Sequence, residues 1–235
     1  MKNLLIFVSP EHKFNEENAK YIEIQIENSL NYWKVEDILL ATNFPYEYMG
    51  VKSLVVPDDL YSETSRCAIK INVICYLLEN NYLYDLTWFH DTEAWQLEPI
   101  DLKLDKELGL TDYGWSSKWN GGSMFFEPTT LDIFKLWKTV IEEEKIDDER
   151  AMMILTKSNF ENINDRIERL NITYNLGKRR VEENMMWADE PIRVAHFHPY
   201  RENLLAKFAT LLPKNLYNLM YEKDINTRIP GVHRS

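Results

Sequence analysis

Four groups of side chains in this sequence have types and spacings that could do chemistry. Asp91 and Glu93 stand two apart just after the apolar run Thr87-Trp88-Phe89. In an extended segment such residues face one side, so both carboxylates can reach one hard divalent cation, which prefers oxygen ligands. An acid-rich turn after a strand is the bland alternative. His196 and His198 alternate in Val194-Ala195-His196-Phe197-His198. Two carboxylates and one neutral imidazole make an open site for an ion such as Mn²⁺ or Mg²⁺. Taken alone, the histidine pair reads as one core and one surface residue. Arg66 and Lys70 lie four apart on one helical face, where they can hold a phosphate beside the cation or simply meet solvent. Asp147-Asp148-Glu149 opens a helix, where the macrodipole favours acids. There the choice is between plain capping and a carboxylate that takes a proton from a hydroxyl or steadies a developing cation.

These groups need a scaffold, and the hydrophobic pattern supplies one. Residues 3–8 form a compact apolar run closed by Ser9-Pro10, which predicts a buried strand. A helix follows over 15–34 with Asn15 as cap, then strands over 37–43, 53–56 and 84–90, with a long helix over 62–80. Strand, helix, strand, strand, helix, strand predicts an α/β domain with a largely parallel sheet. In open sheets of that kind ligands sit beyond the carboxyl ends of the strands, which selects Ser9, Asn43, Asp58 and above all Asp91. In the second half, 97–119 reads as a polar loop with short elements, and 120–128 as a glycine-bearing loop feeding a strand. Helices are predicted over 129–144, capped by Thr129 or Thr130, and over 148–158. A strand follows over 192–198, then a terminal helix over 202–221 interrupted near Pro213.

Composition bounds the function. The 235 residues are 45% hydrophobic, enough for a packed core. Lys plus Arg is 27 against 38 for Asp plus Glu, a net charge of -11, which speaks against nucleic acid as the main partner but leaves room for a local basic pocket. Cys67 and Cys75 lie about two helical turns apart, too far to pair, so both are expected as buried thiols in a reduced compartment. The apolar run at the N-terminus is too short for a signal peptide or a membrane span, so a cytoplasmic protein is expected. The leucines of the terminal helix, Leu204, Leu205, Leu211 and Leu212, suit core packing, with peripheral membrane contact as the alternative.

The order of these features resembles the metal-dependent nucleotide-sugar glycosyltransferases of the GT-A fold. Asp91-Thr92-Glu93 stands where that family has D-x-D, with Glu replacing the last Asp. Asn120-Gly121-Gly122-Ser123 resembles its N-G/A-G segment, and Asp147-Asp148-Glu149 its acidic helix start. Leu170 with Tyr174-Asn175 and then His196-Phe197 resemble the closing motifs of one branch. The glycine- and lysine-rich ending of that retaining branch is not intact after His196, so retention and inversion both stay open. The resemblance spans roughly residues 3–210.

It implies a Rossmann-type single domain over 1–222 and a C-terminal tail over 223–235. The domain would divide into a nucleotide-sugar-binding half, 1–96, and an acceptor half, 97–222. It implies Mn²⁺ or Mg²⁺ held by Asp91, Glu93 and His196. A nucleotide-diphosphate sugar, a UDP-sugar first, would be bounded by Ser9, Asn43, Arg66, Lys70, Asn120, Gly121 and Gly122. Asp148, with Asp91, would be catalytic toward a glycan or other hydroxyl acceptor. A degenerate member that only binds, or a transferase acting on modified phage DNA bases, are the alternatives. A nucleotidyltransferase ranks below them, because Val8-Ser9-Pro10-Glu11-His12-Lys13 lacks a glycine-rich phosphate loop.

Overall fold

Leu4 and Leu5 are fully buried on opposite faces of the first strand, so that strand must lie inside a sheet covered on both sides. A computed structural model describes residues 1–63, 65–114, 116–199 and 204–223. In chain order its elements begin with β1 (Lys2–Phe7), α1 (Glu16–Ser29), β2 (Ile38–Thr42), β3 (Glu47–Tyr48), β4 (Val51–Val55) and α2 (Arg66–Glu79). Next come β5 (Thr87–His90), β6 (Ala94–Gln96), β7 (Leu108–Asp112), β8 (Trp119–Phe126), α3 (Leu131–Glu144) and α4 (Asp148–Ser158). The chain continues through β9 (Ile167–Arg169), β10 (Leu176–Gly177), α5 (Val181–Met185), β11 (Val194–His196), α6 (Leu204–Phe208) and α7 (Lys214–Glu222).

Eight strands form one mixed sheet in the order β3-β4-β2-β1-β5-β8-β7-β9. The run β4-β2-β1-β5 is parallel, and β8 then pairs antiparallel with both β5 and β7. The chain steps from β1 to β2 on one side and returns to β5 on the other. That reversal opens a crevice at the carboxyl ends of β1 and β5, where this class of sheet binds ligands. Helices α2, α3 and α4 cover one face through Ile71, Ile74, Phe134, Trp137 and Met152. Helix α1 covers the other through Ile22 and Ile26, packed on Leu5 and Leu40. A second sheet, β10-β11-β6, sits over a core of Trp95, Phe197, Phe208, Leu216 and Met220.

Several expectations need correction. Gly121 and Gly122 lie within β8 rather than in a loop ahead of it. Their neighbours Met124, Phe125 and Phe126 carry the burial that makes the segment a strand. The stretch 97–119 contains β7, whose LGLTD sequence is short and glycine-bearing and so gives little strand signal. Neither Thr129 nor Thr130 caps α3 with its side chain: a short 3₁₀ turn over Pro128–Thr130 precedes the helix, and the Thr130 hydroxyl donates to Glu127 O. Cys75 is buried, but Cys67 is exposed, on the cavity side of α2. Asn15 does cap α1, accepting from Asn18 N at 2.8 Å. Leu204, Leu205 and Leu212 are core residues. Of the 223–235 tail only Lys223 falls among the described residues, and of 201–203 nothing does. No helix among the described residues is long and apolar enough to cross a membrane.

Candidate active site

The strand ends dictate where the acids go. Strand β5 finishes at His90, and Asp91 N donates to Gly122 O of the neighbouring β8 at 2.9 Å. The chain then turns tightly, Ala94 N donating to Asp91 O at 2.9 Å, and enters β6 of the second sheet. Asp91-Thr92-Glu93 is therefore the hinge between the two sheets. Gln25 of α1 clamps it by donating to Thr92 O at 2.8 Å and to Ala94 O at 2.9 Å. On the other side of the hinge β11 pairs with β6, and Phe197 N donates to Glu93 O at 3.0 Å. Register thus brings His196 back to the acids across a hundred residues of chain.

The donor atoms of Asp91, Glu93 and His196 all lie within 4.8 Å of one another. His196 Nε2 stands 3.9 Å from Asp91 Oδ2. Its Nδ1 faces Asn175 Oδ1 at 3.1 Å, and Asn175 is oriented by donating its amide to Thr111 Oγ1 at 3.1 Å. An Nδ1–H held this way leaves the Nε2 lone pair aimed at the carboxylates, which is the usual support for a ligating histidine. His198 Nε2 contacts Glu93 Oε1 at 3.2 Å and so pairs with a member of the group. Gly122 is the gap that admits the imidazole: a Cβ built there overlaps His196 Cε1 and lies 3.1 Å from Asp91 Oδ2. Oxygen, oxygen and imidazole nitrogen in this cluster fit a divalent ion of the Mg²⁺ or Mn²⁺ kind.

The electrostatics agree with that fit. Asp91 lines an adjoining cavity and is three-tenths exposed. Desolvation raises its carboxyl above the usual range, against the opposing pull of Lys70. Burial also pushes Glu93 up, but His196 and His198 outweigh it and leave the group lowered. Lys70, largely buried, bridges the acids, with Nζ 2.8 Å from Asp148 Oδ2, 3.5 Å from Asp91 Oδ1 and 2.8 Å from Gly121 O. Burial disfavours its charge, yet Asp148 and Asp91 hold it well above its ordinary value. Gly121 makes the pairing geometrically feasible, since a Cβ there overlaps Asp148 Oδ2. Asp147 caps α4 by accepting from Arg150 N at 2.7 Å, which frees Asp148 to face inward. The Trp137 indole donates to Asp148 O at 2.7 Å and fixes its backbone.

Beside this group lies a cavity of about 560 Å³, lined by Val8 to Glu11, Lys13, Arg66, Cys67, Lys70 and Asp91 to Glu93. Ser9 lines it directly. Asn43 does not; its amide exchanges two 2.9 Å bonds with the Ser9 backbone and donates to Asp58 Oδ1 at 2.8 Å, tying the ends of β1 and β2 together. Arg66 is exposed at the rim, one turn from Lys70. Asn120 is buried, accepting from Gly122 N at 3.0 Å. Sequence reasoning missed Gln25, because a buried amide facing a backbone has no local signature; the tyrosine-asparagine pair marked Asn175, but not its role of orienting His196.

No protein-family model matches this sequence, and no curated protein matches it either. Solved structures do. The galactosyltransferase LgtC, determined with donor and acceptor sugar analogs, is 12% identical with a TM-score of 0.60 over 98% of each chain. The chain has the GT-A fold. A glycosyltransferase involved in glycosylation of the major capsid of PBCV-1 is 14% identical, with a TM-score of 0.55 over 83% of this chain and 93% of its own. The glycosyltransferase GlyE of Streptococcus pneumoniae TIGR4 is 13% identical, with a TM-score of 0.58 over 95% of this chain and 64% of its own. At these identities the likeness is one of architecture. The strand order sets the hinge Asp91-Thr92-Glu93 just past the carboxyl end of β5.

Proposed function

We propose that this chain moves a sugar from a nucleoside-diphosphate sugar, UDP-linked in the first instance, to a hydroxyl of a glycan or similar acceptor. The observation that carries this reading is the Asp91–Glu93–His196 group opening onto a cavity large enough for a nucleotide, on a GT-A fold. Asp91, Glu93 and His196 would hold a divalent ion, which when bound neutralises a leaving diphosphate. Ser9 and its neighbours border the nucleoside at the end of β1. Arg66 and Lys13 reach the cavity from its rim and meet the phosphates. Lys70 keeps Asp91 and Asp148 together without mutual repulsion. Asp148 receives the acceptor hydroxyl. In the transfer, the bond from the anomeric carbon to the diphosphate oxygen breaks with its electron pair leaving on the diphosphate. A bond to the acceptor oxygen forms, and that oxygen passes its proton to the Asp148 carboxylate.

A thermal-unfolding series with nucleoside diphosphates, each with and without Mn²⁺, tests the reading. A ligand at a hundred times its dissociation constant adds about 2.7 kcal/mol. The expected outcome is stabilisation by one diphosphate only when metal is present, abolished in Asp91→Asn. A folded protein that responds to no member of the series, or an Asp91→Asn variant with full turnover, overturns it.

A further inference from the structure

Resting on that reading, we infer that the acceptor is anionic, a sugar carrying a phosphate that Lys178 and Arg179 hold beside the reacting hydroxyl. Gly177 of β10 pairs in register with His196, so Lys178 leaves its strand directly beside the proposed metal group. The loop that follows is seated on the turn after β7. Asn184 donates its amide to Arg179 O at 3.1 Å and its backbone N–H to Arg180 O at 2.9 Å. The Asn184 Oδ1 end packs on Gly114, which has a φ of +70° and where a Cβ would approach it to 2.5 Å. That turn carries Tyr113, whose hydroxyl donates to Glu149 Oε1 at 2.5 Å, and is followed by Lys118, whose Nζ meets Glu149 Oε2 at 2.5 Å. Glu149 adjoins Asp148. The loop that bears the two cations is therefore pinned to a turn that leads through Glu149 to Asp148, and neither cation lines the cavity reached by Lys13, Arg66 and Lys70.

Their neighbours are neutralised and they are not. Lys118 is paired with Glu149, Arg180 with Glu183 at 3.2 Å and Lys207 with Glu182 at 3.3 Å. Among the described residues Lys178 and Arg179 have no carboxylate partner, in a chain with 38 acids and 27 bases. Lys178 is half-buried and Arg179 exposed, so both heads are open to a ligand arriving from solvent. A guanidinium and an ammonium in sequence suit a phosphate, the guanidinium in bidentate fashion. The phosphate can belong to a soluble glycan or to a lipid-linked one. Met186 and Trp187, 81% and 69% exposed just beyond α5, bear on the second source.

The test compares equilibrium binding of a hexose 6-phosphate and the neutral hexose to the full chain, with donor side filled by nucleoside diphosphate and Mg²⁺ and without it. We expect the phosphorylated sugar to bind at least tenfold tighter, and the ratio to fall to near one in the Lys178→Ala/Arg179→Ala double variant but to persist in Arg179→Lys. Equal binding of the two sugars by the parent, or a ratio unmoved by the double variant, overturns the inference. So does loss of the metal-dependent nucleoside-diphosphate shift in the same variant, since the cations would then serve the donor. A parent that binds no nucleoside diphosphate but keeps the hexose-phosphate ratio sinks the donor reading instead. Sedimentation with phosphatidylcholine vesicles containing phosphatidylglycerol, lost in Trp187→Ala, assigns the phosphate to a lipid-linked acceptor, and its absence assigns it to a soluble one.

Discussion

A methyl group on Gly122 has no room, because the His196 ring occupies the space a Cβ would take. Gly122→Ala is thus expected to push the imidazole away from Asp91 while leaving β8 paired. Metal affinity should fall about 10–100-fold, the usual penalty when a ligand loses its orientation. Metal titrations followed by thermal unfolding read this, and an unchanged metal response would show that His196 lies outside the coordination sphere. His90 makes a second residue-scale prediction. It is buried against Trp88, ring centroids 4.0 Å apart, with Nε2 2.9 Å from Asn3 Oδ1. Burial lowers it to about 4 from 6.5, so the folded protein resists a proton that the unfolded chain accepts. Stability should therefore be full above pH 6.5 and decline by roughly 1.4 kcal/mol per pH unit as pH falls toward 4. Subtracting the profile of His90→Gln isolates this slope; parallel profiles would contradict it.

At the scale of elements, helix α1 does more than cover the sheet. Its Gln25 grips the acidic hinge, Asn28 donates to Gln96 O at 2.8 Å, and Tyr32, just beyond the helix, donates to Leu97 O at 2.7 Å. One helix thus fixes the path of the chain from the large sheet into the small one. Gln25→Ala strips two buried carbonyls of a donor, at about 1–3 kcal/mol. We expect it also to weaken metal-dependent stabilisation, since Thr92 sits between the two acids. A variant that loses stability but binds metal as the parent does would confine Gln25 to a structural role. The elements bearing this load were unequally legible in sequence. Strand β1, helix α2 and the acids after β5 announce themselves through apolar runs, periodicity and spacing. Strands β9, β10 and β11 have three, two and three residues, too short for any period to register. Histidine alternation still marked β11. Residue types alone made Asp148 one of three acids, and only the resemblance singled it out, because which acid caps and which turns inward depends on the tertiary contact with Lys70.

For the molecule as a whole, the site is a joint. Asp91 directly follows a strand of the eight-stranded sheet, Glu93 comes next but one in the turn, and His196 belongs to the three-stranded sheet. The small sheet has little hydrogen bonding of its own and depends on its core, where Phe197 and Phe208 stack at 4.2 Å and Trp95 donates to Phe197 O at 2.9 Å. A short sheet with few backbone bonds is the kind of unit that opens locally below the global unfolding free energy. An ion held by ligands from both sheets must be released whenever they part. At a hundred times its dissociation constant it adds about 2.7 kcal/mol to every such opening, a factor of roughly a hundred in exchange rate. Metal should therefore slow amide hydrogen exchange most in β6, β10 and β11, where local opening dominates. In β2 and β4, exchange that proceeds by local fraying should not change. Asp91→Asn should erase the difference. Uniform slowing across both sheets would mean that the small sheet opens only when the whole molecule does, and the joint would then be part of one cooperative core.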